Sequence, residues 1–546
     1  MKLPGLIRRS LEGERFHVIV IGGGISGVAI ARECARAGRR TLLVEQNDFA
    51  SGTSSKSTRL LRGGLRFVEQ GEIGLLRESL REQQRLLRKH PHLIHPSRIV
   101  LAMPENAGLN NLRVRAGLWL YRRLASPKAN LNTANINRFK LERQLDAGAH
   151  WSVFDFEDAQ CEFPERIVAE WMADAVEAGA MVRNHTEVLA VNVFRGKAKG
   201  LLMRDLLTGK EDPVEANWII NATGPWVDRI CQRSRITRKQ PMLSGVRGTH
   251  IVLPRFPGSP DEVVTTEIGG RPLYIVPWND QILVGATAMP DNNDPGTTEP
   301  SKEEIDFLFQ AFTRVFTKTK HTLHDVRYAY TGIRPQPFAG KNHVGKQNDK
   351  CFIHDHSGDG AAQMLSIIGG NLMSAPELGR QCLRMIGHGG KSSSHLAALP
   401  QGTFDPMLDQ WVLDLADVGG ISEASARGIA EWFGKRAPAI TQLATTSVQM
   451  RAQLCPHSPH IVAEAIFAFT QESAVTLADV LLRRVPVALG RCWSEACSRD
   501  AAMRIAAVVG WNEYETAAEL EAFENERSLF LRKPKRYRPF LDSAAD

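Results

Sequence analysis

Gly22, Gly24 and Gly27 stand at the spacing with which a chain cradles a pyrophosphate, and an acid, Glu45, follows them. Gly22 permits a tight turn, Gly24 leaves room for phosphate against the backbone, and Gly27 lets a helix pack closely on a strand. Glu45 can accept hydrogen bonds from ribose hydroxyls. The chemistry is dinucleotide binding, and it needs three elements to position it. Val18–Ile21 reads as a buried parallel strand, Val28–Gly38 as a helix whose N-terminus faces the phosphates, and Arg39–Val44 as a second strand ending on Glu45. That is a complete βαβ unit.

The rest of the 546 residues, 43% of them hydrophobic, suffices for about three domains. Residues 1–16 read as an N-terminal segment, in which Leu3, Leu6, Ile7 and Leu11 beside Arg8, Arg9 and Arg15 suit either an amphipathic membrane contact or a frayed end. No apolar run reaches the roughly 18 residues of a membrane span and no signal peptide is evident, so a cytoplasmic protein is expected. Eight cysteines lie scattered without a CxxC pair, predicting neither a metal site nor a redox motif. The net charge of +8 suits anionic substrates or acidic lipid, although a solvated mixed surface is the preferred reading. Val418–Gly434 is similar in outline to a DNA-binding helix-hairpin-helix but lacks its basic flank, so plain helix packing and no nucleic-acid partner are expected.

Ser51–Gly64, SGTSSKSTRLLRGG, reads as a polar loop laid along a cofactor. Hairpin strands are expected at HIVLP, LYIVPW and ILVGAT between His250 and Thr287, and a helix at Leu372–Ile386 with Pro376 in its first turn. Asp155–Ala180 is read as containing one helix. A Gly/Ser/Pro-rich linker at 391–404 separates residues 17–390 from a helical domain at 405–546, with helices at Ser422–Phe433, Ala439–Met450, His460–Gln471, Leu477–Ala488 and Arg499–Val509.

Four blocks together resemble the FAD-dependent glycerol-3-phosphate dehydrogenase family: the fingerprint to Glu45, Thr53–Glu72, Asn221–Asp228 and Tyr330–Pro335. Ala463–Arg484 resembles that family's helical domain, which argues against amine or amino-acid oxidation. The resemblance implies an α/β fold with a Rossmann-type FAD-binding domain, an antiparallel-sheet substrate domain and an all-helical C-terminal domain. It implies FAD as cofactor, a small phosphorylated polyol as substrate, hydride transfer from its secondary alcohol to flavin N5, and a quinone as electron acceptor. Contact with the inner face of the cytoplasmic membrane and a homodimer belong to the same set of expectations.

The expected FAD contacts are Gly22, Gly24, Ile25, Ser26, Gly27, Glu45 and Gln46 in the fingerprint; Thr53, Ser54, Ser55, Gly63 and Gly64 in the polar loop; Val188; Ala222, Thr223, Gly224 and Trp226; Gly332; and Gly370, Asn371 and Leu372. Arg66 and Arg334 stand where the family holds substrate, with Arg62, Phe67, Arg247 and Asn371 nearby and His250 as candidate base, titrating near neutral pH. The chain also departs from the family. Arg62 replaces a histidine, Phe67 a tyrosine, and Asn371 the phosphate-binding lysine, while the family's Gly-Thr-Thr-Asp is Gly285, Ala286, Thr287, Ala288. Arg62 or Arg247 could restore the missing cation. Three readings therefore stay open: oxidation of glycerol 3-phosphate, oxidation of another polyol phosphate or hydroxylated substrate, and a catalytically silent flavin-binding protein.

Overall fold

Strand β1 (Arg15–Ile21), helix α1 (Ile25–Arg36) and strand β2 (Thr41–Val44) form the βαβ unit, with β2 parallel to β1. Val18–Ile21 and all of β2 are buried, which is why both read as unbroken apolar runs. The computed structural model describes residues 8–62, 71–104, 111–124, 145, 151–268, 271–291, 293–338, 351–387 and 406–531.

β1 lies inside an eight-stranded sheet. Glu211–Asn221 runs parallel to it on one side, followed by Met364–Ile368 and the antiparallel edge Phe352–Asp355; β2 and Met181–Arg183 lie on the other side. The parallel strands end together at Ile21, Val44, Asn221 and Ile368, so the turns after them collect at one end, where a doubly wound sheet holds its ligand.

A nine-stranded, mostly antiparallel sheet adjoins it. Leu243–Pro254 is its hub, paired with Tyr328–Pro337 and Gln281–Gly285, and Arg271–Trp278, Val263–Ile268, Ile94–Pro104 and Trp151–Cys161 extend it. The expected hairpin strands are present. Trp151–Cys161 was not expected as a strand, whereas the helix read within Asp155–Ala180 is present at Pro164–Glu177. Asp155, Glu157 and Asp158 break the strand's apolar signal, and its partner Ile94–Pro104 lies far off in sequence. Lys302–Val315, started by a capping box between Ser301 and Glu304, packs Leu308 and Phe312 against this sheet.

Helices at Pro406–Gly419, Glu423–Phe433, Ala437–Ala444, Val462–Gln471, Glu495–Val509 and Glu513–Phe530 make up the C-terminal part. Leu477–Ala488, expected as one helix, is a short turn at Leu477–Asp479, a π-turn at Val480–Arg484 and a 3₁₀ turn at Val487–Leu489. Pro486 cannot donate to a continuing helix, and Arg483 and Arg484 turn inward to buried carboxylates. Among the described residues, no helix is long and apolar enough to cross a membrane. Residues 1–7 and the whole of the expected linker at 391–404 lie outside the described residues. Of the N-terminal segment beyond them, Leu11 is fully buried and Arg8 pairs with Asp205 at 3.2 Å, so these two serve the protein's own core rather than a lipid surface.

The helical part is fastened to the eight-stranded sheet by buried ions. Arg166, in Pro164–Glu177, makes a two-pronged pair with Glu472 at 2.7 and 2.9 Å, and neither side chain is exposed. Arg484 does the same to Asp48 at 2.8 Å on both oxygens. Although burial works against its charged form, Asp479 holds the His185 imidazole above its usual range. Removing one member leaves an uncompensated buried charge, whereas removing both does not. Glu472→Leu is expected to lower the unfolding free energy by about 3–5 kcal/mol, and the double variant Arg166→Met/Glu472→Leu by distinctly less. Urea denaturation followed by circular dichroism reads both.

Candidate functional site

The turns at the end of the parallel sheet open into a cavity of about 2130 Å³ that runs on to the hub of the antiparallel sheet. A drug-sized ligand occupies roughly 300–1,000 Å³, so there is room for a dinucleotide and a second small molecule. At the sheet end, Gly22 sits at φ +105°, and a Cβ there would come 2.6 Å from the Ala222 carbonyl oxygen. A Cβ on Gly27 would lie 1.8 Å from the Gly22 carbonyl oxygen, so α1 can approach β1 only through glycine. The N-cap residue of α1, Gly24, has no side chain with which to cap the helix. The Ser54 hydroxyl accepts from the Ile25 N–H at 2.9 Å, and α1 directs its positive end at the cavity. Glu45 accepts from the Gly23 N–H at 2.6 Å and the Asn47 N–H at 2.9 Å. Burial pushes its carboxyl up against the pull of those two donors.

Ser26, Gln46, Thr53, Val188, Ala222, Thr223, Gly224 and Trp226 line the same cavity, as do Gly332, Gly370 and Leu372. Thr53 donates to the Ile333 carbonyl at 2.7 Å, tying the polar loop to Tyr328–Pro337. Two expected contacts sit behind the wall. Gly27 acts through packing alone, and the Ser55 hydroxyl is buried and donates to the Ala50 carbonyl at 2.6 Å, bracing the loop from within.

At the far end, Arg62, His250 and Arg334 line the cavity together with Thr58 and Tyr274. Arg62 donates to the Tyr274 hydroxyl at 3.2 Å, with its guanidinium 5.2 Å from that ring's centre. His250 is buried, stacks on Tyr330 at 4.9 Å between centroids, and meets the Thr58 hydroxyl at 3.0 Å through Nε2. Burial, and then the positive fields of Arg59, Arg334 and Arg62, push its pKa down to about 3. The expectation of a histidine titrating near neutrality is thereby corrected: His250 is neutral at physiological pH.

Two further expectations change. Arg247 is not among the residues lining the cavity; it pairs with Asp291 and Glu304, each at 3.1 Å, and ties the hub strand to the helix Lys302–Val315. Asn371 does line the cavity, but its side-chain oxygen accepts from the Met373 and Ser374 N–H groups, each at 3.0 Å, ahead of the helix Ala375–Met385. It shapes a turn where a lysine would have projected charge. Gly63, Gly64, Arg66 and Phe67 lie outside the described residues.

Sequence reasoning did not single out Lys56, Thr58, Arg59 or Tyr274. Burial pushes the Lys56 ammonium down at the cavity wall. Arg59 is spent on Glu165, at 2.7 and 2.6 Å, yet still charges the space around His250. The first three stand in the polar loop already suspected, so position along that loop was the available signal. Tyr274 looks like any alternating strand residue.

Residues 17–374 match the family described as FAD dependent oxidoreductase, and residues 381–516 match the C-terminal domain of alpha-glycerophosphate oxidase. A glycerol-3-phosphate dehydrogenase of Synechocystis is 31% identical over 88% of this chain and 90% of its own length. The aerobic glycerol-3-phosphate dehydrogenase of Staphylococcus saprophyticus is 28% identical over 88% of each. In fold, the chain superposes on the FAD-complexed glycerol-3-phosphate dehydrogenase of Bacillus halodurans with a TM-score of 0.75, covering 97% of both at 21% identity.

The depressed His250 pKa sets a sign for acid stability. Between about pH 6.5, where an unfolded imidazole takes its proton, and pH 3, the unfolded chain binds a proton that the native state refuses. This stabilisation is complete above that window and is lost as pH falls through it. The stability advantage of the parent protein over His250→Gln should therefore shrink by about 1.4 kcal/mol per pH unit from pH 6 to 4. An advantage independent of pH in denaturant titrations would mean that the imidazole titrates normally.

Proposed function

Since the chain belongs to the FAD dependent oxidoreductases, as a divergent member of the glycerol-3-phosphate dehydrogenase family, we propose that it oxidises the secondary alcohol of glycerol 3-phosphate to the ketone and passes the electrons to a quinone. It is an oxidoreductase with FAD as its cofactor. The residues present suit that group. Gly22 closes the turn tightly against Ala222 where a Cβ could not fit, α1 turns its N-terminus to the cavity for the pyrophosphate, and Glu45 stands at the end of β2 for the adenosine ribose. Bound FAD supplies the two-electron oxidant that accepts the carbinol hydrogen as hydride.

The observation that carries the choice of substrate is an exchange of cations. Asn371, where the resemblance places a lysine, shapes a turn, while Arg62 and Arg334 both bring guanidiniums to the wall of the same cavity. A guanidinium grips a phosphate through two parallel N–H donors where an ammonium offers a point charge. Arg62 and Arg334 thus hold the phosphate, and with it the carbinol's position. Arg66 is proposed to join them.

His250, neutral and buried, is the base that takes the hydroxyl proton as the carbon is oxidised. A base held near pKa 3 is a weak one, but part of that depression comes from Arg334 and Arg62. A bound phosphate dianion offsets those two charges and raises the proton affinity of His250, so the base strengthens as the substrate arrives. Thr58 on Nε2 and Tyr330 against the ring hold the imidazole in place.

Anaerobic mixing of the purified flavoprotein with glycerol 3-phosphate tests the proposal, the expected outcome being bleaching of the oxidised flavin band. No bleaching with this substrate, but bleaching with another polyol phosphate, would reassign the substrate as Asn371 suggests. Arg62→Ala should lose one charge-assisted contact to phosphate, lowering kcat/KM by about 10–100-fold.

A further inference from the structure

The eight cysteines are scattered in sequence, yet three of them meet in the helical part, beside a histidine. Cys455 Sγ lies 3.3 Å from Cys497 Sγ, 3.7 Å from Cys492 Sγ and 3.6 Å from His457 Nδ1. Tetrahedral zinc, with bonds of about 2.3 Å to sulfur and 2.0–2.1 Å to nitrogen, places two sulfurs about 3.8 Å apart and a sulfur and a nitrogen about 3.6 Å apart. Two of the three separations already match. The third needs an opening of about half an ångström. Cys455, His457 and Cys497 hold their ligand atoms within 4.8 Å of one another, whereas Cys492 lies outside that group and would turn its side chain toward the metal to complete the set.

The backbone around the cluster is arranged to suit thiolate sulfur. Cys455 stands in the tight loop between Gln449–Arg451 and Val462–Gln471, where Ser458 N–H bonds back to the Cys455 carbonyl at 3.0 Å and His457 N–H points at Cys455 Sγ from 3.5 Å. Cys497 lies in the first turn of Glu495–Val509, where the N-cap Ser494 hydroxyl is 3.4 Å from its sulfur. Cys455 and Cys497 are buried, and His457 closes the outer side. Two other groups of potential ligands lack this character. In His354, His356 and Asp359 the carboxylate is paired with Arg238, and around His185 both Asp48 and Asp479 are held by Arg483.

We propose that Cys455, His457, Cys492 and Cys497 bind a structural zinc ion, a soft divalent cation held by three thiolates and one imidazole. The thiol protons pass to solvent as the metal binds, and no electrons move. Four protein ligands fill the coordination sphere, so the site holds structure and carries no reaction. The metal would pin the segment Leu489–Cys497. That segment is what the helical part lays on the antiparallel sheet: the Leu489 carbonyl accepts from the Tyr328 hydroxyl at 2.9 Å and from Gln281 at 3.0 Å, and the Arg491 carbonyl accepts from Arg327 at 3.0 Å. Tyr328 lies two residues from Tyr330, on which His250 stacks. The inference stands apart from the choice of substrate.

The test is metal analysis of untagged, full-length holoprotein, reduced, supplied with Zn²⁺ and then dialysed against metal-free buffer. About one zinc per chain is expected, falling at least about tenfold in Cys455→Ser and Cys497→Ser. Because buried-cysteine variants can misfold, His457→Ala, at an exposed position, gives a second reading: a folded protein that surrenders zinc to a competing chelator at least about tenfold more readily. Cobalt substitution should give the intense visible bands of tetrahedral thiolate coordination. Failure of the reduced protein to take up Zn²⁺, retention of zinc by both serine variants, or a Cys455–Cys497 disulfide in the isolated protein would each overturn the proposal.

Discussion

Asp48 is a carboxylate with almost no access to water, and the structure cannot close without an answer to its charge. The answer comes from the other end of the chain. Arg484 grips both of its oxygens, Arg483 reaches one of them, and Asn184 donates to it at 3.1 Å. Asp48 is joined in turn to Phe49 and Ala50. A Cβ on Gly23 would strike the Phe49 ring at 2.4 Å, and the Ala50 N–H bonds to the Gly23 carbonyl at 3.0 Å. The glycine turn that meets the pyrophosphate is thus shaped, through three residues, by arginines in the helical part. That part is a clamp on the cofactor loop as well as a neighbouring layer.

The substrate end obeys a different constraint. Three arginines of the cavity wall, Arg59, Arg62 and Arg334, act on one imidazole. Arg59 shows how such a concentration is tolerated: Glu165 neutralises it, the Ser55 carbonyl takes a further N–H at 2.8 Å, and the Trp278 ring lies 4.9 Å from its guanidinium. Arg62 leans on Tyr274 in the same manner. The positive field is therefore built from anchored guanidiniums, preorganised before an anion arrives, rather than from a mobile ammonium.

Local physics was legible in the sequence and distant pairing was not. The fingerprint glycines, Glu45 and the hairpin strands follow from periodicity and turn chemistry within a few residues. Trp151–Cys161 was missed because its partner strand lies far away in the chain and its carboxylates mask its alternation. Leu477–Ala488 has helical spacing, but its arginines are recruited by Asp48 and Asp479 into a π-turn. His250 was marked as chemically interesting, yet its protonation depends on Arg59, Arg62 and Arg334 converging from two separate segments. The cysteines, separated by as many as 42 positions, carry no spacing signature at all.

The buried ion pairs also impose an order on how this protein comes into being. A chain emerges from the ribosome N-terminus first, at about 5–20 residues per second. Asp48, Arg166 and His185 are made first, and Glu472, Asp479, Arg483 and Arg484 follow much later. Until those last residues appear, the nucleotide-binding half carries charges that favour hydration over burial, and its glycine loop lacks the brace that sets its shape. The cradle is therefore fully braced only once Arg483 and Arg484 have joined Asp48, so the shape of the cofactor loop depends on residues made long after the loop itself.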